Sequence, residues 1–125
     1  MLVKIDTREK FHVITLNSIA LAANMTAELS KTLHPLLQTP VKNIVFNLRG
    51  VESLDIPSAE ELLNLQQYFY ENNASLIYCE LEKSAESFLE KHEMLGMMNV
   101  TPTESEAWDI VQMEEIEREL LDGHE

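Results

Sequence analysis

Only three glycines occur in the 125 residues: Gly50, Gly96 and Gly123. A loop that wraps phosphate through its backbone N–H groups needs several close together. Their scarcity excludes a glycine-rich cradle, and with it most nucleotide-hydrolysing and dinucleotide-binding classes. The single cysteine, Cys79, has no internal partner for a disulfide. It lies in the apolar run Leu76-Ile77-Tyr78-Cys79 and reads as a small buried hydrophobe. Histidine is sparse and scattered. His12, His34, His92 and His124 include no pair at metal-ligand spacing, and His92-Glu93-Met94-Leu95-Gly96 lacks the second histidine of a zincin helix. No metal and no cofactor is expected. No serine stands in a nucleophile-elbow context, so no Ser–His–acid set can be assembled.

Basic residues are also few. Nine oppose 22 acidic ones, a formal net charge of −13. Such a field repels nucleic-acid phosphates and anionic lipid headgroups, and attracts a basic protein patch. No apolar run is long enough to span a bilayer. The opening MLVKIDTREKF alternates and carries both charges, unlike a secretory signal. The expectation is a cytoplasmic protein in a reducing compartment, with protein partners, no nucleic acid and no membrane insertion.

What the chain does contain suits one globular domain over residues 1–125. Leu2 and Ile5 suggest a first strand, Asp6–Glu9 a turn, and Phe11–Leu16 a second strand. A helix follows from about Thr26 to Leu37, with Asn24 as its cap and a kink or stop at Pro35. Asn43–Leu48 is a short apolar run expected of a strand covered on both faces. The second helix spans about Pro57–Glu71 and stops at Asn72-Asn73. Ser75–Cys79 is a strand. A third helix runs from about Lys83 to Leu95 and ends at Gly96. Asn99-Val100 is a short edge strand, and an acidic helix closes the chain over about 104–122, opened by Thr103-x-x-Glu106. Alternating strands and helices after an opening hairpin argue for an α/β fold, with a mixed sheet of four to five strands and about four helices packed on it.

Paired carboxylates abound: Glu60-Glu61, Glu80 with Glu82, Glu114-Glu115. In so acidic a chain they read as solvated faces before general acid–base pairs. Met94, Met97 and Met98 read as core filling. The segment Asp55-Ile56-Pro57-Ser58 differs in kind. It lies beyond the end of a strand and at the start of a helix, where N–H groups and the helix dipole favour negative charge. Asp55 or Ser58 can cap the helix, Ser58-x-x-Glu61 fits a capping box, and Pro57 suits the first turn. A phosphate on Ser58 would add roughly −1.5 to −2 of charge at that point.

Two stretches carry a family resemblance. NIVFNLRGVESLDIPSAEELLNLQQYFYENNASLIYCEL and FLEKHEMLGMMNVTPTESEAWDIV resemble the strand–Asp–helix–strand and helix–glycine turn–strand–helix segments of STAS domains, the sulfate transporter and anti-sigma factor antagonist family. The resemblance implies a non-enzymatic regulatory domain of bacterial signalling and transcription control. It implies docking of Asp55, Ile56, Pro57, Ser58 and Glu61, with Glu60 and Asn64 at the rim, on an anti-sigma factor or serine-kinase-type partner. The family's usual Asp-Ser-Ser/Thr-Gly motif is altered here. Asp55 is kept, Ile56 follows, the phosphoacceptor position is Pro57, and Ser58 stands at the glycine position. The expectation is a form without the usual phosphoswitch, Ser58 being the only local phosphoacceptor. The alternatives are a STAS scaffold or accessory module of a transporter or signalling complex, and a small α/β ligand-binding domain or enzyme. A homodimer is left open.

Overall fold

The structure, a computed structural model, describes residues 3–122. Two antiparallel strands, β1 (Val3–Thr7) and β2 (Phe11–Leu16), open it. Asp6 and Thr7 belong to the ladder, opposite Val13 and His12, so the turn is tighter and later than the sequence suggests. The reason is local: the Arg8 N–H donates to the Phe11 carbonyl at 2.8 Å, and the Thr7 hydroxyl meets His12 Nδ1 at 2.9 Å. Leu2, read as part of this strand, lies outside the described residues.

Between β2 and the first helix lies β3 (Ala20–Leu21), and between β4 (Asn43–Asn47) and the second helix lies β5 (Ser53–Leu54). These two-residue strands pair with each other in parallel, apart from the main sheet. Two residues carry no period, so the sequence alone announces neither. α1 (Ala23–Leu33) begins at an Ala22 cap without a side-chain bond, so Asn24 is not its cap but sits in its first turn. Pro35 then tightens the chain into a 3₁₀ turn at His34–Gln38, the expected break.

α2 (Ile56–Glu71) stops where expected. Asn73 is left-handed at φ 59°, and the Ala74 N–H donates to the Phe69 carbonyl at 2.9 Å. α3 (Lys83–Lys91) ends four residues before the predicted Leu95. Glu93, at φ 58°, takes the left-handed position that Gly96 was expected to supply, and the Met94 N–H closes on the Leu89 carbonyl at 2.8 Å. β6 (Leu76–Cys79), β7 (Val100–Thr101) and α4 (Glu104–Asp122) complete the order.

The main sheet runs β1-β2-β4-β6-β7, antiparallel at β1–β2 and parallel elsewhere. Side chains alternate across it. Ile14, Ile44, Phe46, Leu76 and Tyr78 face α1, α2 and α3 in one core, with Leu29, Leu33, Leu62, Leu65, Phe69 and Leu89. Val45, Ile77 and Cys79 face the other way, onto Ala107 and Val111 of α4. The central strands β4 and β6 are buried throughout, as parallel strands covered on both faces must be. Cys79 is inside, as its apolar neighbours implied. Burial, with Glu104 and Glu80 nearby, pushes its thiol up to about 12.

Candidate functional site

The segment from Leu48 to Ser58 forms the upper rim of the sheet, and several independent bonds hold it. Leu48 and Val51 are buried and close a turn, Val51 N–H to Leu48 carbonyl at 3.0 Å. Gly50, at φ 91°, takes a backbone conformation that a side chain would strain. Its N–H donates to Glu82 at 2.9 Å, and Ser84 donates to the Glu52 carbonyl at 2.6 Å. The Glu52 and Ser53 N–H groups both reach the Ile19 carbonyl. The β3–β5 pair thus fastens the rim just before the second helix.

Asp55 is the cap of α2. Its backbone is extended, and its Oδ1 accepts the Ser58 N–H at 2.9 Å. The Ser58 N–H donated to it holds its carboxyl below the ordinary 3.8. The capping box read at Ser58-x-x-Glu61 does not form. Ser58 is fully buried and its hydroxyl donates to the Leu21 carbonyl at 3.1 Å. Glu61 instead accepts from Ser30 at 2.9 Å and links α1 to α2. The sequence could not choose between the two caps, because the choice depends on where β3 lies.

The predicted site residues therefore divide. Asp55, Ile56, Pro57, Glu60 and Asn64 are exposed, and Ile56 shows 41% of its surface. Their spacing puts Ile56, Pro57, Glu60 and Asn64 on one side of α2. Ser58 points inward, and Glu61 is half-buried. The exposed group combines one acid at a helix start, an isoleucine, a proline and a polar margin.

One junction was missed by sequence reasoning. Asn47 ends β4, is buried, and donates through one amide nitrogen to Glu80 at 3.0 Å and to Glu104 at 2.9 Å. Its carbonyl oxygen accepts the Arg49 N–H at 2.8 Å. An asparagine at the last position of a buried strand was the available signal. At the other end of the same strand, Asn43 accepts from the Ser75 N–H and from Arg118, and Ser75 donates to Glu114 at 2.6 Å. The carboxylate neighbours in sequence thus take separate partners. Glu80 serves Asn47, Glu82 serves Gly50, and Glu114 serves Ser75.

The histidines are equally structural. His12 bridges Thr7 and the Val41 carbonyl, His34 stacks on Tyr68, and His92 lies against Phe88. Among the described residues, no three histidine, cysteine or acidic side chains are grouped to hold a metal ion. No helix among them is long and apolar enough to cross a membrane. His124 lies outside the described residues.

No protein-family model and no curated protein matches the sequence. Solved structures do match. A STAS-domain anti-sigma-factor antagonist protein from Planctomyces limnophilus superposes with a TM-score of 0.73 at 16% identity, over 88% of this chain and 97% of its own. The Bacillus anti-sigma factor antagonist SpoIIAA, unphosphorylated, gives 0.68 at 17% identity, over 89% and 96%. The murine Slc26a9 anion transporter gives 0.65 at 12% identity, over 82% of this chain but 18% of the transporter. At such identities the likeness shows the fold. The chain has the STAS fold: a mixed five-stranded sheet with four helices.

Proposed function

We propose that this domain is a non-enzymatic regulatory module of the anti-sigma antagonist type, docking the exposed start of α2 on an anti-sigma factor or kinase-type partner without a phosphoswitch. Asp55, Ile56 and Pro57 make the central contact. Glu60 and Asn64 form its rim, and Ser58 and Glu61 brace the loop from inside. The observation that carries this reading is the state of Ser58, buried, with its hydroxyl on the Leu21 carbonyl. A kinase needs a hydroxyl it can reach in an extended or open segment, and Pro57, which is exposed, has none. The neighbours' name as anti-sigma factor antagonists supports the partner class.

The test uses the tagged full chain as bait in extract from its own cells, beside an Ile56→Asp/Pro57→Glu variant. Recovery of one dominant ATP-binding protein by the wild type, lost with the variant, is the expected result. Equal recovery by both overturns the interface. Incubation of the recovered pair with ATP leaves the intact mass of the domain unchanged, and a gain of one phosphate overturns the absence of a switch.

A second reading, an accessory module within a transporter or signalling complex, is favoured by the match to a domain-sized part of an anion transporter. Recovery of a membrane protein in the same experiment would select it.

A further inference from the structure

We propose that the outward face of α4 is a second docking surface, shaped for a basic amphipathic helix of another protein. α4 turns Ala107 and Val111 into the core and Arg118 toward Asn43 and Ser75. On its opposite side Met113, Ile116 and Leu120 are exposed by 55%, 56% and 61%. Steps of three and four residues align them in one stripe. Leu121 adjoins it, exposed by 72%. A surface helix ordinarily turns polar residues to water, so a second apolar stripe marks a contact.

Charge selects the occupant. The stripe's margins are acidic: Glu117 and Glu119 flank it on either side, and the one cation of this stretch, Arg118, is drawn to the sheet by its two bonds. Charge complementarity then calls for an apolar face edged by Lys or Arg. A second copy of the chain would bring the same acids against these, and an anionic membrane surface would be repelled.

This surface lies away from the start of α2, near the start of β4 rather than beyond its end. It stands independently of the anti-sigma reading.

The full chain is titrated with two labelled synthetic peptides of one leucine and lysine composition. One forms an amphipathic helix, and in the other the order is scrambled so that no apolar face exists. Saturable one-to-one binding of the first, about tenfold tighter than of the second, is expected. Amide shifts should centre on α4 from Ile110 to Leu121. A Met113→Ser/Ile116→Ser/Leu120→Ser variant should lose about tenfold in affinity. Glu117→Lys/Glu119→Lys, which keeps the apolar stripe, should lose a comparable factor. Equal binding of both peptides, or shifts elsewhere, overturns the proposal. So does a dimer of the free chain in sedimentation that the serine variant dissolves, since the stripe would then belong to a second copy.

Discussion

The Ser58 hydroxyl donates to the Leu21 carbonyl across 37 residues of chain, at 3.1 Å, while the Ser58 N–H donates to Asp55. One residue thereby ties the start of α2 both to its own cap and to β3. Ser58→Ala removes one partner of a buried pair and should cost about 1 kcal/mol. Ser58→Asp puts a carboxylate in a buried position facing a carbonyl and should cost about 3 kcal/mol or more. Urea unfolding of the two variants checks the order. An Asp variant as stable as the Ala variant would mean that the hydroxyl can swing into solvent, and would reopen Ser58 as a phosphoacceptor.

Asp55 links the same corner to pH. Its carboxyl titrates below 3.8 in the folded chain and near that value when unfolded. The unfolded state takes up the proton first on acidification. The cap's contribution is therefore complete above the unfolded value and is lost as pH falls through the folded one. Asp55→Asn keeps an acceptor for the Ser58 N–H and should flatten this part of the stability profile below about pH 4. Asp55→Ala should lower the melting temperature at neutral pH as well. Thermal scans at pH 7 and pH 3 separate the two variants.

Asn47 holds two carboxylates with one amide. Asn47→Asp changes a donor into a third acid between Glu80 and Glu104. At pH 7 this should cost roughly 2–4 kcal/mol, by lost hydrogen bonds and like-charge repulsion. The crowded carboxyls of the variant must titrate above their unfolded values, so its deficit should shrink as pH falls below about 5. Asn47→Leu, without the added charge, should show a smaller pH dependence. Urea midpoints across pH 4 to 7 test both, and a pH-independent deficit in the Asp variant would contradict the junction.

Cys79 should be chemically silent in the native state. Its thiol is buried and pushed up to about 12, so almost no thiolate exists at neutral or mildly alkaline pH. A thiol reagent at pH 8 should label the native chain no faster than it unfolds, and label it at once in urea. Rapid native labelling would show that β6 opens locally beneath α4.

Much of the architecture was legible without coordinates, for physical reasons. Strong periods announced β2, β4, α2 and β6, because burial on one or both faces forces a pattern on the residues. Pro35 and Asn73 marked breaks through backbone chemistry that belongs to those residues alone. The acidic excess, the few glycines, the single cysteine and the scattered histidines bore on which classes of chemistry to expect before any fold was considered. The place of the segment Asp55 to Ser58 at the start of α2 was also visible, since a strand, a polar turn and a proline at a helix start follow one another directly.

What only the tertiary structure decided is which atoms meet. β3 and β5 are too short to carry a period, yet they set the Leu21 carbonyl over Ser58 and so made Asp55 the cap. The end of α3 fell to Glu93 rather than Gly96, because local hydrogen bonds closed the turn earlier than the glycine. Asn47, Glu80 and Glu104 come together from three distant segments, and only the parallel stacking of β4 and β6 under α4 unites them. Sequence determined the elements through local burial patterns and backbone limits. Which polar groups pair was decided by the packing of those elements, since hydrogen bonds between distant residues leave no period along the chain.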